Sequence, residues 1–239
     1  MIELSDKTPQ LRKKYLDWNS KTILHYGFKI NSYDFDNDFS RGFLENLETH
    51  KIFFLFFGSF NPFHIGHKVI GSHLVQHTDL DKVWYVVSPN NPHKQKKSLL
   101  HHTHRLQIIK REVEDVKDLD VSDIEFNLPS PSYTIDTLVN ISEKYSNYNF
   151  SVIMGEDNIA TISKWKNYMQ LLNNYRVYVY PRIGNFEKYK HPNVIFVKNV
   201  PMIDVSASFI RKSISEGLDV SSLVPEKAWQ YIEEMNFYK

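Results

Sequence analysis

The chain has 239 residues, of which 41% are hydrophobic and 14% aromatic, enough for one α/β domain with a substantial core. Its 29 basic and 28 acidic residues leave a formal charge of +1, which excludes a nucleic-acid or membrane binder held by overall charge. It has no cysteine, no basic-then-apolar leader and no run approaching the roughly 18 apolar residues of a membrane helix, so a cytoplasmic protein without disulfides is expected.

Residues 1–50 differ in pattern from the rest of the chain. Pro9 to Tyr26 can form a helix with Leu11, Tyr15, Trp18 and Tyr26 along one side, capped by Ser5 or Thr8. Residues 31–49 mix Asp34, Asp36 and Asp38 with Tyr33, Phe35, Phe39 and Phe43. The glycine and late glutamate of a calcium loop are not in register, so this reads as a solvated acidic segment. The expected organisation is a mainly helical extension of open role over 1–50, with one domain over 51–239.

Ile52 to Phe57 is an unbroken apolar run, stopped by Gly58-Ser59 and continued by helix-compatible sequence. That pattern predicts a strand buried on both faces, turning tightly into a helix over Ile65 to Gln76 with Val69, Ile70 and Leu74 on its inner side. The loop between them lies at the carboxyl end of a parallel strand, where open α/β sheets bind ligands, and a glycine there lets the backbone approach a phosphate. His64 and His67 share one side of the first helical turn, where free N–H groups and the helix dipole favour an anion. As a metal site the pair would need further ligands, and none stands at a telling spacing.

Val83 to Val87 is the next strand, and the loop beyond it carries Lys94, Lys96, Lys97, His101, His102, His104 and Arg105. By composition this is a solvated basic loop. Its position past the carboxyl end of a second strand makes it a cover for the phosphate loop, and the lack of interleaved aromatics speaks against nucleic acid. Leu106, Ile109, Val113 and Val116 mark an amphipathic helix, and Val121 to Phe126 a strand. Pro129 to Thr134 reads as a rigid turn, with Thr134 suited to cap a helix that buries Ile135, Leu138 and Val139. Phe150 to Met154 is a further buried strand, ending at Gly155-Glu156-Asp157-Asn158, and Trp165 is expected on the next helix. Tyr175 to Tyr180 and Val194 to Val197 complete the strands. Ser206, Ser208 and Arg211 at the start of a helix can form a second anion site, although an ordinary cap with a surface arginine is the commoner arrangement for such a pattern. Val224-Pro225 opens a last helix with Trp229, Ile232 and Met235 toward the core. Strands alternating with helices predict a parallel, right-handed βαβ sheet.

The stretch Gly58-Ser59-Phe60-Asn61-Pro62-Phe63-His64-Ile65-Gly66-His67 resembles the GxFxPxHxGH loop of the nucleotidyltransferase superfamily, which holds the triphosphate of ATP. The resemblance implies a Rossmann-like parallel sheet with helices on both faces. No activated serine, no cysteine and no glycosidase-type carboxylate pair is present. A nucleophile supplied by the substrate explains that: a phosphate monoester is mostly ionised at neutral pH and attacks the α-phosphorus of ATP without a general base.

Further motifs occur in order along the chain: Pro92-His93-Lys94, Pro131-Ser132-Tyr133-Thr134-Ile135-Asp136-Thr137-Leu138, Met154-Gly155-Glu156-Asp157 with Trp165, Ser206-Ala207-Ser208-Phe209-Ile210-Arg211, and Leu223-Val224-Pro225 with Tyr231-Ile232. Together they resemble the bacterial nicotinate-nucleotide adenylyltransferases across residues 52–238. The resemblance implies transfer of the adenylyl group of ATP to nicotinate mononucleotide; polyphosphate chemistry adds the expectation of Mg2+ accompanying ATP, with no dedicated protein cage for the metal visible in the sequence. It implies His64, His67, Lys94 and Arg211 as catalytic groups. Gly58, Ser59, Phe60, His64, His67, Ser206, Ser208 and Arg211 would surround the ATP phosphates, with Gly155 and Asp157 beside the adenosine. Trp165 would stack on the pyridine ring, Tyr133 and Thr134 would lie near its carboxylate, and Asn61, Lys94 and Arg105 would complete the mononucleotide side. The family commonly has Asp where this chain has Asn61 and Thr where it has Ser208. Transfer to nicotinamide mononucleotide, or to both, is the nearest alternative. Transfer to phosphopantetheine leaves the Tyr-Thr turn and Trp165 without a role, and a non-catalytic nucleotide-binding regulator would not require His64, His67, Lys94 and Arg211 together. The sequence leaves the oligomeric state open, a homodimer included.

Overall fold

A computed structural model describes residues 51–78, 80–89, 99–184 and 189–239 of the chain. The expectations for residues 1–50, and for His93, Lys94, Lys96 and Lys97, lie outside the described residues. Residues Lys51–Lys239 form one compact unit.

The apolar run forms β1 (Lys51–Gly58), and its alternation explains the layering. Phe54 and Phe56 point into one core and Phe53 and Leu55 into another, so β1 must be covered on both faces. It is central in a six-stranded, all-parallel sheet of order β3-β2-β1-β4-β5-β6, with β2 at Lys82–Val87, β3 at Leu119–Ser122, β4 at Tyr148–Gly155, β5 at Arg176–Tyr180 and β6 at Val194–Phe196. One face is covered by α1 (Ile65–His77), α2 (His102–Val113), α6 (Ala207–Ser215) and α7 (Glu226–Glu234), which bury Leu74, Ile109, Ile210 and Ile232 against Phe54 and Tyr85. The other is covered by α3 (Thr134–Lys144), α4 (Glu156–Ile159) and α5 (Tyr168–Asn174), which bury Leu138, Ile159 and Leu171 against Leu55 and Val152. Strand order reverses between β1 and β4, so the crevice for a ligand opens beyond Gly58 and Gly155.

Several local expectations are corrected. The third strand covers Leu119–Ser122 and pairs with β2 alone; Asp123 ends it, and Ile124–Asn127 form a 3-10 turn in place of the strand expected to Phe126. Tyr133, not Thr134, is the N-cap of α3, and Val139 is exposed, because Thr137 faces inward with Ile135, Leu138 and Ile141. On α2 Ile109 and Val113 are buried, and Leu106 and, just past the helix end, Val116 pack half-buried against the same core, as expected, but the buried stripe also takes in Arg105, Ile108 and Glu112. Trp165 sits in extended backbone after a 3-10 turn at Ile162–Lys164, ahead of α5. Met235 is exposed, since α7 ends before it and Asn236 turns the chain away with φ 52.

Candidate active site

The turn out of β1 is shaped by packing before any ligand is considered. A side chain at Gly58 would put a Cβ 2.8 Å from the Phe60 ring, so the ring can fold back over the strand end only because that carbon is missing. Phe60 has a left-handed backbone (φ 45) and is nearly fully buried, conformational strain of the kind that surroundings must hold in place. The chain then passes Asn61-Pro62, joined by a cis peptide bond, to His64 as the N-cap of α1.

His64 and His67 stack with ring centroids 3.7 Å apart, as their spacing predicts. The backbone N–H of His64 donates to His67 Nδ1 at 3.2 Å. Since that nitrogen accepts, Nε2 is left as the donor of the His67 ring. The Tyr85 hydroxyl donates to the His67 carbonyl at 3.1 Å and fixes the turn from β2. His64 is only 6% exposed, and burial, reinforced by the Arg182 guanidinium, lowers its pKa to about 4. It is therefore a neutral donor in this state. Its Nδ1 is buried with no hydrogen-bond partner among the described residues, the kind of atom a bound polar group would satisfy.

Arg211 on α6 reaches back to the same loop, donating through Nη1 to the Asn61 carbonyl at 2.6 Å and through Nη2 to Ser208 Oγ at 3.3 Å. Ser206 caps α6 by accepting from the Phe209 N–H at 3.2 Å, which leaves its hydroxyl proton able to donate. A cavity of about 250 Å³ runs between these elements, lined among others by Gly66, Asp157, Tyr180, Arg182 and Ser206. It joins the start of α1, the turn after β4 and the start of α6. A Cβ at Gly155 would run into Asp157 Oδ1 and come within 3.2 Å of Arg182 Cγ and the Tyr180 ring, so the Asp157 carboxylate lies directly over this turn. Asp157 pairs with Arg182 at 3.5 Å, and the Arg182 N–H donates to Glu156 Oε2 at 2.9 Å. Of the residues expected around ATP, Asp157 and Ser206 line this cavity, while Arg211 is bonded to the loop that carries His64 and His67.

The mononucleotide candidates are arranged less simply. Tyr133 is partly exposed, and the Lys166 ammonium lies 4.7 Å from its ring centroid while pairing with Asp136 at 2.7 Å. That contact brings the segment after Trp165 against the Tyr133-Thr134 turn. Trp165 is half-buried and packs against the core cluster that contains Leu138 and Leu171. Arg105 is not an open cation. It is fully buried, with Nε on the Leu100 carbonyl at 2.9 Å, Nη1 on the Ser59 and Ser88 carbonyls at 2.5 and 2.9 Å, and Nη2 on the Pro89 carbonyl at 3.0 Å. Those bonds tie the ends of β1 and β2 together, so Arg105 shapes the loops instead of meeting a phosphate. Lys94 lies outside the described residues.

Two participants have no signal in the sequence. Glu125 is 2% exposed and accepts from the Thr137 and Ser132 hydroxyls, both at 2.9 Å. Burial raises its pKa while these hydroxyls and Ser88 oppose the shift. It holds the turn that presents Tyr133. The Tyr238 hydroxyl donates to Asn61 Oδ1 at 2.8 Å from the far end of the chain. Both contacts join residues distant in sequence, which local pattern cannot reveal.

An all-parallel sheet with an anion-receptive, histidine-bearing helix start at its point of strand reversal defines a nucleotide-binding transferase fold. The chain belongs to the cytidylyltransferase-like family, whose model matches residues 55–213. It is 48% identical over 189 residues to a Flavobacterium johnsoniae protein named "Probable nicotinate-nucleotide adenylyltransferase", covering 77% of this chain and 97% of that one. A Christiangramia forsetii protein of the same name is 47% identical over 188 residues, again covering 77% and 97%. Among solved structures, the Plasmodium falciparum nicotinic acid mononucleotide adenylyltransferase complexed with NaAD shares the fold, with a TM-score of 0.65 at 21% identity, covering 79% of this chain and 98% of that one.

Proposed function

We propose that the chain transfers the adenylyl group of ATP to nicotinate mononucleotide, giving deamido-NAD and pyrophosphate in NAD biosynthesis. The observation that carries this reading is the Gly58–His67 turn, which sets two histidine rings 3.7 Å apart at the start of α1 with Arg211 bonded into the same loop. The names of its close relatives support the substrate pair. A phosphate oxygen of the mononucleotide attacks the α-phosphorus of ATP, a new P–O bond forms, and the bond from the α-phosphorus to the bridging oxygen breaks. Pyrophosphate leaves with that electron pair. The attacking phosphate is largely a dianion at neutral pH, so no protein base is required.

Catalysis on this reading is positioning plus charge stabilisation. His67 Nε2 and His64 donate to the polyphosphate; Arg211, Ser206 and Ser208 supply the second side; Asp157 and Gly155 border the adenosine. Gly58, Ser59 and Phe60 give the loop its shape. Tyr133, Thr134 and Trp165 receive the pyridine, and Lys94 reaches over from the basic loop. Arg105 and Asn61 act through the loops they hold. Magnesium would enter with ATP, since this small hard cation keeps its waters and binds phosphate oxygens. Residues 51–239 carry this chemistry in the proposal, and residues 1–50 are an extension outside it. A cytoplasmic setting fits a chain without cysteine, among whose described residues no helix is long and apolar enough to cross a membrane.

The test is chromatographic detection of deamido-NAD from ATP, nicotinate mononucleotide and magnesium, with His67→Ala as comparison. The wild type should form the product and the variant should do so far more slowly with its fold intact. Equal rates in the two proteins would overturn the role given to the loop.

A further inference from the structure

We infer that the last turn of the chain is a working part of the phosphate loop: Tyr238 is a positioning residue that holds Asn61, and through it the segment bearing His64 and His67. This rests on the reading of Gly58–His67 as the loop that receives ATP.

After α7 the Phe237 N–H returns to the Ile232 carbonyl at 3.0 Å, and both Asn236 (φ 52) and Tyr238 (φ 68) take left-handed backbone. Asparagine adopts that conformation readily. Tyrosine does so at a cost, and such strain persists only where the surroundings fix it. At Tyr238 the fixing contacts are visible. Its ring packs against the core with Phe237, and its hydroxyl donates to Asn61 Oδ1 at 2.8 Å. The Leu100 N–H donates to the same atom at 3.2 Å and, as a donor only, identifies that atom as the oxygen. Arg211 takes the Asn61 carbonyl at 2.6 Å. Contacts from residues 100, 211 and 238 therefore meet on one residue just ahead of His64.

Asn61 is 4% exposed, so water is poorly placed to replace a lost donor. A neutral amide oxygen between a phenol and a backbone N–H also needs no charge, which suits asparagine at this position. Without the Tyr238 hydroxyl the oxygen keeps one of these two donors, and the loop can shift by fractions of an ångström. Reacting groups held in near-attack geometry are sensitive to such shifts, whereas ground-state affinity is much less so.

In the full chain, Tyr238→Phe should lower kcat about tenfold while KM for ATP and for the mononucleotide changes by less than about threefold. Asn61→Ala should lower kcat further, and the double variant should be no slower than Asn61→Ala alone, because Tyr238 then has nothing to act through. Tyr231→Phe loses the hydroxyl bonded to His104 Nδ1 at 3.1 Å in the same packing region and should leave kcat unchanged. Backbone amide resonances of residues 60, 61 and 63–67 read the same contact without turnover: they should move in Tyr238→Phe and stay in Tyr231→Phe. A kcat for Tyr238→Phe within about twofold of wild type, additive losses in the double variant, or unmoved resonances would overturn the proposal. A wild type that forms no product would instead strike the functional reading, and the resonances would still decide the role of Tyr238.

Discussion

At neutral pH His64 carries no charge, because burial and the Arg182 guanidinium hold its pKa at about 4. Between that value and the ordinary 6.5 the unfolded chain binds a proton that the folded chain does not. Stability from this group is thus complete above about pH 6.5 and falls as the pH drops toward 4, by at most about 3 kcal/mol. Denaturant unfolding should show wild type losing stability relative to His64→Gln from pH 7 to 4, and a constant difference would contradict the buried neutral ring. In the proposed mechanism His67 donates to the polyphosphate through Nε2, so His67→Ala should cut kcat by about 10²–10³-fold, the usual effect of losing one donor to a developing charge. Arg105 answers four carbonyls in a dry setting. Arg105→Lys lacks the planar fork and should cost about 3 kcal/mol of stability by denaturant unfolding, as several buried acceptors lose partners. An unchanged midpoint would show that those bonds contribute nothing.

Among the elements, β1 is the keystone, with Phe54 and Leu55 fully buried on opposite faces. Phe54→Ala should cost about 3–5 kcal/mol in the same assay, and a loss under about 1 kcal/mol would mean that the site collapses around the gap. The strand, its turn and α1 are legible in the sequence because an apolar run, a Gly-Ser stop and two histidines three apart are local signals. The end of β3 is not, since a four-residue edge strand has one neighbour and weak pattern of its own. The face of α3 departs from its apolar pattern at Val139 because Thr137 turns inward to meet Glu125, a contact between residues twelve apart in sequence. Arg105 is legible as a cation near the loops, yet its burial depends on carbonyls from three other segments. Local pattern shows where the ligand loops lie; it does not show which polar groups hold them.

For the whole molecule, nearly the full length of the relatives matches 77% of this chain. We propose that the shared part is the transfer domain and that residues 1–50 stand outside the mechanism. A chain lacking residues 1–50 should then keep kcat within about threefold of the full protein, as an independently folding domain would. Loss of activity together with solubility would mark the extension as cover for an apolar surface. The most direct measurement on the central claim is pyrophosphate release with ATP and magnesium, comparing nicotinate with nicotinamide mononucleotide at equal concentrations. A preference of about a hundredfold for the nicotinate form, worth roughly 2.7 kcal/mol of transition-state binding, is the predicted result. Comparable rates with the two, or no release with either, would contradict it.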